Sequence, residues 1–320
     1  MVWLLTPLLI IWALRSVSLL HLWETLSQLT ILQLAAILAA NLLVMLAFSG
    51  RWWIVLRALG HPVPYLTLAG YRLSASGVSY FTPGPQFGGE PVQVIMLARR
   101  ANVPMNDAAT SVGLERTLEM LVNFFFLATG VALTIHGQIF DAWLGSGALI
   151  VMGGLLLIPA GLLALLWLDR RPLSWLLSRL PVTVQASDKI KALQVSLQQS
   201  EDQASVLLHN QPGAVLAALG FTLVSWAGII GEYWLVTHLV GLNVTWLQLI
   251  SILTAARIAF LSPLPSGIGT LEAGQVLIFQ LMGFDPVAGL ALSILIRARD
   301  VLFSGVGLWL GGLWLVDSPA

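Results

Sequence analysis

Long apolar runs separated by short polar breaks set the pattern of this 320-residue chain. A membrane-spanning helix needs about 20 mostly apolar residues. Six segments meet that length, at roughly 2–22, 30–57, 105–135, 142–168, 212–240 and 286–315. Two further apolar regions, 64–101 and 245–283, are each split by a cluster of helix breakers. The first break reads FTPGPQFGGEPV, Phe81 to Val92, and the second LSPLPSGIGTLEAG, Leu261 to Gly274. Their halves are about 15 to 18 residues long, short for a span. Each region therefore predicts a re-entrant helical hairpin, which enters and leaves the membrane on one side. The tips fall at Pro83, Gly84, Pro85, Gly88 and Gly89, and at Pro263, Pro265, Gly267 and Gly269. Irregular backbone at such depth is tolerated only where protein or water surrounds it.

Positive-inside counting selects the hairpins over two extra spans. With a cytoplasmic N-terminus, that side receives Arg51, Arg57, Arg99, Arg100, Arg170, Arg171, Arg179, Lys189 and Lys191. The outer loops near 23–29, 136–141, 241–245 and 284–285 carry no Lys or Arg. The expected fold is an all-α membrane domain, 1–320, of six transmembrane helices and two re-entrant hairpins, with both termini cytoplasmic. A cytoplasmic connector occupies 169–211. Within it DRRPLSWLLSRL predicts an interfacial helix against anionic lipid, and KIKALQVSLQQSEDQASVLLHN an amphipathic one.

The two broken regions also resemble each other. LSASGVSYFTPGPQFGG, Leu73 to Gly89, aligns without a gap on LTAARIAFLSPLPSGIG, Leu253 to Gly269. A glutamate follows each, Glu90 and Glu272. In the next helices ERTLEML aligns on IRARDVL, pairing Arg116 with Arg297 and Glu119 with Asp300. The reading is a duplication, with repeats at 30–135 and 212–315. Three crossings separate their starts, so the repeats are inverted and the hairpin tips approach from opposite sides. Opposed broken helices near the midplane are a transporter arrangement.

Composition agrees. Hydrophobic residues make up 58% and charged residues 9%, against roughly 25% charged in soluble domains. Cysteine is absent, which excludes disulfides and thiolate chemistry. Histidines at 21, 61, 136, 209 and 238 show no metal-ligand spacing, and no nucleotide-binding motif occurs, so neither metal nor cofactor is expected. Equal counts of 15 basic and 15 acidic residues name no partner, and no basic tract points to nucleic acid.

The candidate chemistry lies in ionisable residues within the apolar segments: Arg72, Glu90, Glu115, Arg116, Glu119, Arg257, Glu272, Arg297, Arg299 and Asp300, besides Glu232. An unpaired charge at the bilayer centre costs about 3 kcal/mol, so these must pair or face a water-filled cavity. The planar guanidinium fork suits a lipid phosphate, and the acids suit an amine, a proton or the arginines themselves. Structural readings stand beside these. Glu90 and Glu272 follow turns and can cap the next helix, Glu115 and Glu119 share a helix face, and Glu232 stands alone as a structural partner.

TPGPQFGGEPVQVIMLARR with GLERTLEML, and SPLPSGIGTLEAG with IRARD, resemble two signatures of the lysylphosphatidylglycerol synthase transmembrane family, in order and over roughly 10–315. The resemblance implies a flippase-like module of a bacterial or archaeal plasma membrane that moves lipids between leaflets. Family members are associated with aminoacylated phosphatidylglycerol, and others with polyprenyl-linked sugars or hopanoids. No synthase domain follows Ala320, so a separate lipid-synthesising enzyme is the implied supplier, and a homodimer is compatible with the sequence. The expected function is a flippase or scramblase of an anionic or aminoacylated phospholipid, a transporter rather than an enzyme. A secondary transporter of a small polar solute and a membrane-embedded lipid-modifying enzyme are the alternatives.

Overall fold

Capping marks several helix starts. At Thr30 the hydroxyl accepts from Gln33 N while the Gln33 side chain accepts from Thr30 N, a reciprocal capping box. Thr245 and Gln248 repeat it 215 residues later. In this computed structural model residues 11–15, 17–82, 88–139, 142–181 and 187–316 are described, and among them there is no β-strand.

The helices in chain order are α1 (Leu19–Ser27), α2 (Ile31–Ala58), α3 (Tyr65–Phe81), α4 (Glu90–Arg100), α5 (Met105–His136) and α6 (Ala142–Trp167). After them come α7 (Pro172–Leu177), α8 (Asp188–Asn210), α9 (Pro212–Leu239), α10 (Trp246–Phe260), α11 (Thr270–Leu281) and α12 (Pro286–Val316). A single 3-10 turn, Pro265–Gly267, lies between α10 and α11.

Four helical stretches among the described residues are long and apolar enough to cross a membrane: Ile31–Ala58, Met105–His136, Gly147–Trp167 and Pro212–Leu239. Their outward faces are apolar too. Ile31, Leu43, Ile150, Leu157 and Leu216 are all more than 65% exposed. A helix that is apolar all round belongs in lipid. The predicted span 2–22 falls partly outside the described residues. Within them the chain is helical at 11–15 and starts a new helix at Leu19, where Ser18 accepts from His21 N. The 31-residue α12 matches the predicted span 286–315 in length, but Arg297, Arg299 and Asp300 interrupt its apolar run.

The predicted breaks separate the members of two helix pairs. Helix α3 ends at Phe81 and α4 starts at Glu90, and α4 packs back on α3. Likewise α11 packs back on α10. The tip residues Pro83, Gly84 and Pro85 lie outside the described residues. The starts of α2, α3 and α5 (Ile31, Tyr65, Met105) each precede those of α9, α10 and α12 (Pro212, Trp246, Pro286) by 181 residues.

Small residues bring the helices close. Helix α2 packs along α9, and α12 along α3. A Cβ at Gly77 would stand 2.7 Å from the Ser304 carbonyl oxygen, and one at Gly307 would strike the carbonyl of Leu73. Only a bare backbone fits there, the usual device for close helix packing in a bilayer. The largest buried cluster joins Trp226 and Tyr233 of α9 to Leu253 of α10, Phe279 of α11 and Ile296 of α12.

The connector forms its two predicted helices. Glu201 of α8 is buried and caps α7, accepting from Leu173 N at 2.6 Å and Ser174 N at 3.1 Å. Helix α8 also grips the start of α5, where Gln203 Nε2 donates to Asp107 Oδ1 at 2.6 Å.

Candidate functional site

Helices α2, α3, α4, α5 and α12 enclose a cavity of about 240 Å³. Its ionisable lining comprises Arg72, Glu90, Glu115, Arg116, Glu119 and Asp300. Asn41, Ser76, Ser79, Gln93 and Ser304 add neutral polar groups. Six of the ten residues expected to bind substrate thus meet at one place. The lining carries two guanidiniums and four carboxylates.

One wall is a compact ion-pair network. Glu115 and Glu119 stand one turn apart on α5 and face α2 and α3. Arg51 Nε donates to Glu115 Oε1 at 2.9 Å, and Arg51 Nη2 reaches Glu119 Oε2 at 2.7 Å. Arg72 Nη1 donates to Glu115 Oε1 at 2.6 Å, and its Nη2 lies 3.5 Å from Glu119 Oε2. The ring of Phe48 lies under both guanidiniums, at 5.0 Å from Arg51 and 5.2 Å from Arg72. Arg116 bridges Glu119 Oε1 at 3.2 Å and Glu90 Oε1 at 3.3 Å. Glu90 also closes its own turn, since its Oε2 accepts from Gly88 N at 2.8 Å. Both structural and ion-pairing roles therefore fall to Glu90.

Arg51 is the residue sequence reasoning misplaced. Counted among the cytoplasmic-side charges, it is fully buried, with no exposed side-chain surface. It stands seven residues inside the end of α2, about 10 Å along the axis. A pair of buried acids, rather than an interface, holds its charge.

The other four expected residues lie outside the cavity lining. Arg297 pairs with Glu272 and donates to two carbonyls of the second turn, Ser266 at 3.0 Å and Gly267 at 2.7 Å. Glu272 accepts from Gly269 N at 2.8 Å and so caps α11. Ser266 sits at φ 46°, a left-handed conformation unfavourable for a residue with a Cβ. Its hydroxyl donates to the Tyr80 carbonyl at 2.5 Å, which links the second turn to the last turn of α3. Arg299 pairs with Glu232 and, at 3.0 Å, with Asp300. Asn41 Nδ2 reaches the other Glu232 oxygen at 3.5 Å. Arg257 lies over the Trp226 ring at 4.9 Å, with its buried Nε lacking a hydrogen-bond partner.

Two ion pairs match across the halves, between residues that the sequence alignment sets in correspondence. Arg116 meets Glu90, and Arg297 meets Glu272. A third correspondence has its charges exchanged. Arg51 on α2 and Glu232 on α9, 181 positions apart, each bind an opposite charge on the long helix that follows their hairpin, α5 and α12. No group of three or more potential metal ligands occurs among the described residues.

The profile of the family described as Lysylphosphatidylglycerol synthase TM region matches residues 3–307. The chain is 25% identical over 264 residues to UPF0104 membrane protein PH1989 of Pyrococcus horikoshii, covering 79% of this chain and 78% of that protein. It is 23% identical over 264 residues to a UPF0104 membrane protein of Methanothermobacter thermautotrophicus, covering 80% and 77%. No solved structure matches.

Proposed function

Since this chain belongs to the family of the lysylphosphatidylglycerol synthase TM region, we propose that it moves a phospholipid between leaflets, with the headgroup passing through the cavity walled by α2, α3, α4, α5 and α12. The observation that carries this reading is the ion-paired cavity among apolar helices. Charges at such depth are retained where they handle a polar cargo. A volume of about 240 Å³ is below the roughly 300–1,000 Å³ of pockets that enclose drug-sized ligands. It suits a headgroup whose tails stay outside.

Two guanidiniums and four carboxylates favour a headgroup carrying amines as well as phosphate. Arg72 and Arg116 are the phosphate partners in this reading, because a guanidinium exchanges a carboxylate for a phosphate with the same forked geometry. The released carboxylates then receive the ammonium groups. A lysylated phosphatidylglycerol, the lipid in the family's description, has both charges.

The equal spacing of helix starts and the matched ion pairs support a duplication, with α3–α4 and α10–α11 as corresponding helix pairs. The distribution of Lys and Arg supports reading these as inverted re-entrant hairpins with both termini cytoplasmic. The Ser266–Tyr80 hydrogen bond supports the meeting of the two tips near mid-membrane.

The test is reconstitution of the purified full chain in liposomes, with transbilayer movement followed for labelled lysylated phosphatidylglycerol and unmodified phosphatidylglycerol. Movement above protein-free liposomes, slowed by Arg72→Ala in a folded protein, is expected. Rates equal to protein-free liposomes for both lipids overturn the proposal.

A further inference from the structure

A second, larger concavity adjoins the polar cavity. It measures about 490 Å³ and runs between α4 and α5. The two share two lining residues, Glu90 and Arg116. Beyond that pair the walls are Pro91, Val94 and Ile95 of α4 and Ala109, Val112, Gly113 and Thr117 of α5. Thr117 is the one uncharged polar side chain among these, and its hydroxyl already donates to the Gly113 carbonyl at 2.8 Å. The groove therefore offers a polar ligand nothing except at its inner end.

Helical spacing makes the groove continuous. Ala109, Val112, Gly113, Arg116 and Thr117 fall three or four apart and share one face of α5. Gly113 keeps that face open, because no atom lies within 4 Å of the position its Cβ would take. From Ala109 to Arg116 the groove follows the helix for about 10 Å. Gly113 and Ile95 are exposed, so the groove opens on the outer surface of the bundle, in the first half of α5.

We propose that this groove holds an acyl chain of the lipid whose headgroup enters past the Glu90–Arg116 pair. The proposal rests on the translocation reading and adds where the tail travels. The occupant is an acyl chain rather than a polar ligand because the walls are apolar and the channel is continuous with a headgroup-sized polar cavity. The Glu90–Arg116 contact suits an entrance. At 3.3 Å it is long for a charge-assisted hydrogen bond, and both side chains keep 22–25% of their surface exposed. A phosphate arriving along the groove meets Arg116 first.

The experiment uses the full chain in liposomes. In Gly113→Trp the indole fills the groove, whereas Gly154→Trp places the same indole on the exposed face of α6, away from it. Lipid movement is expected to be about tenfold slower in Gly113→Trp, a barrier raised by about 1.4 kcal/mol, and unchanged in Gly154→Trp. Independently, a phospholipid with a photoreactive acyl chain is expected to label wild-type protein within residues 109–117, and to lose that label in Gly113→Trp. Should Gly113→Trp fail to fold, labelling of the wild type decides. If wild type moves lipid but Gly113→Trp moves it equally fast, the tail path is overturned and translocation stands. Label spread evenly over all lipid-facing helices, the mark of bulk lipid only, also overturns it. If wild type moves no lipid while the label still falls within 109–117, translocation fails and the groove stands as a lipid site.

Discussion

Arg51 and Glu115 form a buried ion pair: Arg51 has no exposed side-chain surface and Glu115 has 3%. Such a pair contributes little when intact, because desolvation offsets attraction. Removing one partner leaves the other buried and uncompensated, at a cost of about 3–5 kcal/mol. Arg51→Met is therefore expected to lower the thermal midpoint of the purified protein in detergent sharply. Arg57→Met, at the end of the same helix, should change it little. Equal midpoints for the two variants would contradict the burial seen here.

Arg297 and Arg72 are expected to fail in different ways. Arg297 holds the carbonyls of Ser266 and Gly267, so Arg297→Ala frees a turn with a residue in the left-handed region. The expected result is faster hydrogen exchange at the amides of Gly267 and Gly269 and a lower melting temperature. Arg72→Ala should leave that turn intact and change lipid movement instead. Matching exchange patterns in the two variants would show that the two arginines share one role.

Glycines separate packing from open space. At Gly307 an added methyl group meets the Leu73 carbonyl, so Gly307→Ala should cost about 1–3 kcal/mol through overpacking of α3 on α12. Gly113→Ala, where the space is empty, should stabilise by up to about 1 kcal/mol through helix propensity. Detergent melting of the two single variants measures the opposite signs.

Glu201 tests the connector. Its carboxylate accepts from two backbone N–H groups at the start of α7. Glu201→Ala should cost about 1 kcal/mol, the usual value of a lost N-cap. Hydrogen exchange at the amides of Leu173 and Ser174 should quicken, with exchange in α5 unchanged.

Helix positions were legible in the sequence because they depend on local pattern. Runs of apolar residues give α2, α5 and α9, and the Pro/Gly clusters give the turns after α3 and α10. The correspondence of Arg116 with Arg297 and of Glu90 with Glu272 was legible from the likeness of the two broken regions, but that each arginine meets the glutamate of its own half was not. Nor were the partners of Arg51. An arginine seven residues from a helix end reads as a membrane-edge charge, since its real neighbours, Glu115 and Glu119, lie 64 and 68 positions away. The neutral polar lining was also hidden. Asn41, Ser79 and Gln93 look like ordinary polar interruptions until the helices pack. The division of labour between Arg297, which fastens a turn, and Arg72, which lines the cavity, depends on turn geometry that periodicity does not carry.

The hydrogen bond from Ser266 to the Tyr80 carbonyl has a thermodynamic corollary. Tyr80 itself lines the cavity, so one residue belongs both to this polar chamber and to the seam between the two halves. Anything that shifts the end of α3 when the chamber fills must either carry Ser266 along or break that bond. Linkage is reciprocal, so loosening the seam alters occupancy by the same free energy that occupancy loosens the seam. A reporter fixed near Ser266 would then register filling of a chamber that Ser266 does not line.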